Sequence, residues 1–160
     1  MLDTIRGVTD GEQIIKVIHA AFKRYEDDPM PSSALTETAS TIKKELESNV
    51  LIFGAEVLGQ LAGVVKVRCF KDHFYFSRLS VLPEFQGQGI ASAIVRYIEK
   101  QAIQEQTPYV RCKVRKSEGD NIRLYKKLGY HISQEEVMTS PLGFVMETVT
   151  MEKEVDWEGN

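Results

Sequence analysis

Apolar positions in GEQIIKVIHAAFKRY recur at helical spacing: Ile14, Ile15, Ile18, Phe22 and Tyr25 share a face, and Lys16 and Lys23 fall off it. TASTIKKELES predicts a second, shorter helix with Ile42 and Leu46 turned inward. The DDPMPSSALTE stretch between them has the proline, serine and acid content of a loop. VLIFGAEVLGQLAGVVKVRCF then reads as two strands joined near Gly59–Gln60, and HFYFSRLSVL as a third. Beyond two glycines, Ile90, Ala91, Ile94, Val95, Ile98 and Ala102 line one face of a helix of about four turns, with Arg96, Glu99, Lys100 and Gln104 off it.

YVRCKVR alternates cleanly, Val110, Cys112 and Val114 against Tyr109, Arg111, Lys113 and Arg115, which predicts a half-buried strand. Asp120 is positioned to cap a short helix NIRLYKKLG that Gly129 ends at C′. YHISQEEVM and FVMETVTMEK predict closing strands, and EVDWEGN a loose tail. The resulting order, β-α-α-β-β-β-α-β-α-β-β, combines hairpins with βαβ units. It implies an α/β (mixed α+β) fold on a mixed sheet. One domain is expected over residues 1–153, with 154–160 as a C-terminal tail.

Composition narrows the classes. A chain of 160 residues with 42% apolar and 27% charged residues has the makeup of one ordinary globular domain rather than a disordered chain. A net charge of −3 without a Lys/Arg block argues against a nucleic-acid partner. Cys69 and Cys112 form no CxxC pair, and His19, His73 and His131 show no ligand spacing, so neither a disulfide framework nor a metal site is expected. No apolar run approaches membrane-spanning length, and the N-terminus lacks a signal-like core; a cytoplasmic location without a membrane partner is the expectation.

The chemistry concentrates at Gln86-Gly87-Gln88-Gly89-Ile90-Ala91-Ser92, a glycine turn at the mouth of the long helix. No Lys-Ser/Thr follows, which removes a P-loop. A Rossmann fingerprint misses its third glycine, and the next strand ends in cations rather than a ribose-binding acid. A plain strand–helix turn also remains open. The stretch resembles motif A, Q/R-x-x-G-x-G/A, of the GCN5-related N-acetyltransferase (GNAT) superfamily, with Val81-x-Pro83 at the family's spacing. About 35 residues on, Asn121-Ile-Arg-Leu-Tyr125-Lys-Lys-Leu-Gly129-Tyr130 is similar to the family's motif B ending.

The resemblance covers almost the whole chain and implies a mixed, mostly antiparallel sheet of about six to seven strands flanked by about four helices. It implies acetyl-CoA as co-substrate and a small-molecule or peptide amine as acceptor, and dimers are common in the family. Gly87 to Ser92 would then offer backbone N–H groups and the helix dipole to the pyrophosphate, with glycine keeping a Cβ out of the way. Leu79, Ser80 and Val81 would offer backbone groups to pantetheine, Asn121 would belong to the cofactor side, and Tyr125 would protonate the departing thiolate. The family often places a glutamate base where this chain has Tyr75 or Lys113, so no base is assigned; Glu56 and His73 are weaker candidates. A non-catalytic acyl-CoA-binding module is the alternative from another class. Asp27, Asp28 and Glu37 in the interhelix loop suggest attraction of a cationic amine.

Overall fold

A computed structural model describes residues 2–155. Among them lie β1 (Thr4–Gly7), α1 (Gly11–Phe22), α2 (Ala39–Glu47), β2 (Leu51–Val57), β3 (Gln60–Cys69), β4 (His73–Val81), α3 (Ile90–Gln104), β5 (Tyr109–Arg115), α4 (Gly119–Lys127), β6 (His131–Thr139) and β7 (Val145–Glu154). Short 3-10 turns occupy Lys23–Tyr25, Ser33–Thr36 and Pro83–Phe85. The strands form a seven-stranded sheet in the order β1-β2-β3-β4-β5-β7-β6. β4 and β5 pair in parallel, whereas β1–β2, β2–β3, β5–β7 and β6–β7 pair antiparallel, so the sheet is mixed as the pattern implied. The described residues form two compact units: one comprises residues 2–68 and Phe76–Tyr97, and the other Cys69–Tyr75 and residues 98–155.

In the first unit, Ile14, Ile15, Val17 and Ile18 of α1 and Ile42 of α2 bury with Ile52 and Val64 of β2 and β3. Asp10 starts α1 by accepting from the N–H groups of Glu12 and Gln13 at 3.1 and 3.2 Å. Thr38 and Thr41 close a capping box at the start of α2. The β2–β3 hairpin turns on Leu58 and Gly59, one residue earlier than the sequence suggests. Both have positive φ (52° and 78°), the requirement of a type I′ turn. At Gly63 of β3, a Cβ would lie 3.0 Å from the Ser80 carbonyl and 3.1 Å from Ile94, so glycine there lets the start of α3 and the end of β4 approach β3 closely.

In the second unit, Val110, Cys112 and Val114 of β5 are buried as the alternation predicts, alongside Ile98 and Ala102 of α3 and Met151 of β7. β7 pairs with β5 from Arg115↔Thr148 to Tyr109↔Glu154. Strand pairing therefore includes Glu154, and buried Val155 donates its N–H to the Pro108 carbonyl at 2.8 Å. Both residues were read as tail from sequence; the rest of that stretch, 156–160, lies outside the described residues. A second correction concerns α4. Its N-cap is Glu118 without a side-chain cap bond, and Asp120 sits inside the first turn, paired with Arg123. There its charge still favours the helix dipole. Gly129 follows the Leu128 C-cap at φ 100°, the C′ position expected.

Candidate functional site

The first unit carries the glycine turn. β4 ends with half-buried Leu79 and buried Ser80 and Val81; the Ser80 hydroxyl donates to the Arg78 carbonyl at 2.8 Å. A 3-10 turn then reverses the chain, with the Phe85 N–H donating to the Leu82 carbonyl at 2.9 Å. Gln86 closes this loop, since its side-chain amide donates to the Val81 carbonyl at 3.1 Å. Gly87 and Gly89 have φ of 79° and 81°, and nothing lies within 4 Å of where a Cβ would stand. Glycine is thus demanded first by backbone conformation, a reason the sequence alone does not reveal. Gln88 between them is exposed.

The Gly89 carbonyl accepts from the Ala93 N–H at 3.0 Å, which makes Gly89 the residue that opens α3. Ile90 is buried, anchoring the first turn, while Ala91 and Ser92 are half-buried. The first N–H groups of a helix have no intrahelical acceptor, and no acidic side chain sits in this first turn. The result is a cluster of aligned donors at the positive end of a helix of 15 residues, suited to an anion such as a phosphate.

Asn121 and Tyr125 stand on α4 in the second unit. Asn121 donates to the Glu118 carboxylate at 2.8 Å. Tyr125 is buried, its ring edge-to-face with Tyr130 at 6.2 Å, and its carbonyl accepts the Tyr130 N–H at 2.9 Å. The Tyr130 hydroxyl in turn donates to Glu99 at 2.8 Å, and Lys153 pairs with the other oxygen of Glu99 at 3.0 Å. Burial first, then the Glu99 charge, pushes the Tyr130 phenol far above its ordinary range, so it acts as a fixed donor. Thus the structure gathers Leu79–Ser92 into one turn, and Asn121 with Tyr125 onto one helix.

Lys113, Glu56 and His73, at or near the positions weighed for the base, are engaged elsewhere. Lys113 pairs with Glu136 at 2.9 Å and Glu56 with Arg6 at 2.7 Å. His73 meets the Asp72 carboxylate at 2.8 Å through Nδ1 and stacks on Phe70 at 4.7 Å. The His73 hydrogen bond holds the Asp72 carboxyl below its usual range. Tyr75 is half-buried on the stretch of β4 that pairs with β5.

Sequence reasoning missed a charged cluster in the first unit. Glu37 binds Lys66 at 2.6 Å and Arg78 at 2.9 Å, Lys66 also reaches Glu45 at 2.6 Å, and His19 Nε2 lies 2.7 Å from the Glu37 carbonyl. Glu37 is therefore balanced by two cations, and Asp28 accepts from the Met30 N–H at 2.9 Å. Of the three loop acids read as attracting a cationic amine, Glu37 does not present a net charge to solvent. The sequence clue was Lys66, a lone cation inside the otherwise apolar run of β3, which is buried from Ala62 to Val67.

A family model described as an acetyltransferase (GNAT) domain matches residues 48–132, more than half of the chain and parts of both units. The chain belongs to the GNAT acetyltransferases. Its fold is similar to that of the ribosomal-protein-S18-alanine N-acetyltransferase from Escherichia coli, with TM-score 0.78 and 19% identity over 100% of this chain and 97% of that one. It also resembles a ribosomal-protein-alanine N-acetyltransferase from Brucella melitensis, with TM-score 0.70 and 14% identity over 95% and 99% of the two chains. A Salmonella typhimurium structure described as an acetyltransferase with its cofactor acetyl-CoA matches at TM-score 0.69 and 16% identity, over 98% and 95%. Membership of the GNAT acetyltransferases supports acyl-CoA-dependent N-acetyl transfer as the class of activity. Among the described residues, no helix is long and apolar enough to cross a membrane, and no group of three metal-ligating side chains converges.

Proposed function

We propose that this GNAT protein transfers an acetyl group from acetyl-CoA to a primary amine of a small molecule or peptide, with Tyr125 as general acid. The observation that carries the reading is the turn at Gly87 and Gly89, whose left-handed glycines open α3 onto aligned N–H donors with no acid in the first turn of the helix. Those donors, from Gly87 to Ser92, suit the pyrophosphate. Leu79, Ser80 and Val81 are the residues we assign to the pantetheine arm, and Asn121 to the cofactor side.

In the reaction the amine nitrogen bonds to the thioester carbonyl carbon, the C–S bond breaks, and the sulfur leaves with its electron pair. A lysine-like amine is neutral in only about one molecule in 10³ at neutral pH, so it must lose a proton before attack. The thiolate must gain one, and a phenol of ordinary pKa near 10 is matched to that task. Tyr125 would supply that proton.

The experiment is a thermal-shift titration with acetyl-CoA followed by thiol-release assays against a panel of amines. Acetyl-CoA should raise the melting temperature and NADPH should not, because a ligand that binds only the native state stabilises it by mass action. Tyr125→Phe should keep acetyl-CoA affinity and lower turnover by about 10²–10⁴-fold. Wild-type kcat in that variant would remove Tyr125 from the chemistry. One feature favours a second reading: the positions that the resemblance matches to the family's frequent glutamate base hold Tyr75 and Lys113, neither a carboxylate. An acyl-CoA-binding module would show the thermal shift with no thiol release on any amine.

A further inference from the structure

Arg78 adopts φ 55° inside β4, immediately before Leu79. This backbone region is disfavoured for any residue with a Cβ, and it persists where the surroundings over-determine it. Here they do. The Ser80 hydroxyl donates to the Arg78 carbonyl at 2.8 Å. On the side chain, Nε donates to Glu37 at 2.9 Å, Nη2 pairs with the same carboxylate oxygen at 2.9 Å and donates to Ser33 at 2.7 Å, and the guanidinium carbon lies 5.9 Å from the Phe22 ring centre.

Glu37 is itself immobilised by Lys66 of β3 and by His19 of α1, and Lys66 by Glu45 of α2. Two helices and a strand of the first unit therefore converge on Glu37, the carboxylate that grips the strained residue. Largely buried ion pairs are weak evidence for stability, because desolvation offsets most of their attraction. A network aimed at a strained backbone calls for a different role.

We infer that Arg78 is a positioning residue: Glu37 and Ser33, gripping its guanidinium, hold β4 in the left-handed turn that aims the backbone of Leu79, Ser80 and Val81. The clamp thereby fastens the Ser33–Glu37 segment to the strand assigned to pantetheine. The inference rests on the acyl-CoA reading. It adds a residue whose side chain acts on the cofactor through its own main chain.

The test compares Arg78→Ala with Arg78→Gly, because glycine accepts a positive φ without a clamp. Acetyl-CoA titrated by calorimetry should bind Arg78→Ala about tenfold more weakly than wild type, the equilibrium equivalent of a left-handed residue with a Cβ. Arg78→Gly should recover binding to within about threefold. In the ligand-free proteins, hydrogen–deuterium exchange of a peptide spanning 30–38 should quicken in both variants, since both release Glu37 and Ser33. Arg78→Ala with wild-type affinity overturns the inference, even if its melting temperature falls, as does Arg78→Gly binding as weakly as Ala. Unchanged exchange over 30–38 overturns the clamp. A wild-type protein that binds no acetyl-CoA overturns the acyl-CoA reading instead, and the exchange measurement still decides the clamp.

Discussion

Glu37 in the first unit and Glu99 in the second are each almost hidden, with side chains 14% and 10% exposed, and each gathers two side-chain partners. Their partners differ. Glu37 meets two basic side chains, Lys66 and Arg78, the second on a residue with φ 55°; Glu99 meets a phenol and an amine on Tyr130 and Lys153, neither with a positive φ. The first network holds backbone that would otherwise relax, whereas the second satisfies polar groups in ordinary conformations. Similar burial therefore serves position in one unit and stability alone in the other.

The largest expected effect comes from removing the hub of each network. In Glu37→Leu, Lys66, whose side chain is 5% exposed, keeps only Glu45, and the change should cost about 3 kcal/mol in a urea titration because a buried charge loses a partner. Glu99→Leu should cost less, about 1–2 kcal/mol, since Lys153 is 30% exposed and can turn to water, leaving the Tyr130 hydroxyl as the main orphan. Acetyl-CoA affinity should fall with the Glu37 change and hold with the Glu99 change. Equal losses of stability and affinity would break the comparison.

A smaller effect isolates the phenol. Tyr130→Phe keeps the edge-to-face contact with Tyr125 and leaves Glu99 its Lys153 partner, so it should cost about 1 kcal/mol. The acetyl-CoA thermal shift should be unchanged. If the shift disappears, the second network also positions the cofactor, and the contrast with Glu37 is lost.

Gly89→Ala tests strain without a network. The methyl meets open space, so the cost is conformational: φ 81° is worth about 1 kcal/mol against a residue with a Cβ. The titration of acetyl-CoA should show weaker binding, because relaxing Gly89 would turn the α3 donors away. Unaltered affinity would mean the turn tolerates another geometry and the donors are not aimed by it.

These contrasts explain what could be read from the chain beforehand. Helical periodicity located α1 and α3, and clean alternation located β5, because one buried face dictates those patterns. The glycine turn was legible as a motif, but not as two left-handed residues. Arg78 was invisible: HFYFSRLSV reads as strand throughout, and nothing in an arginine announces positive φ. Leu58 displaced the hairpin turn by one residue for the same reason. Glu37 resembled a solvated loop acid because its partners, Lys66 and Arg78, are distant in sequence. Asp120 looked like a cap on local preference alone, whereas α4 begins at Gly119, two residues before the expected start at Asn121. Local chemistry reveals elements; long-range ion pairs and strained backbone appear only when the chain is folded.

The smallest effect at neutral pH concerns Cys112 and becomes visible only in alkali. Burial pushes the Cys112 thiol up to about 12, and Tyr130 beside it is also raised, so both keep their protons in the folded second unit. An unfolded cysteine ionises near 8.5–9. Below that range both states hold the proton and the stabilising contribution is complete. Between about 9 and 12 the unfolded chain releases its proton while the fold retains it, so stability must fall as pH rises. Cys112→Val preserves an apolar side chain of similar size and should change stability by less than about 1.5 kcal/mol at pH 7. Urea midpoints at roughly pH 7, 9 and 11 should then decline less steeply for Cys112→Val than for wild type. The difference in slope should persist in a Glu37→Leu background, since the thiol belongs to the second unit and the Glu37 network to the first. A valine variant with the wild-type alkaline slope would show that the buried thiol is not what the alkaline loss reports.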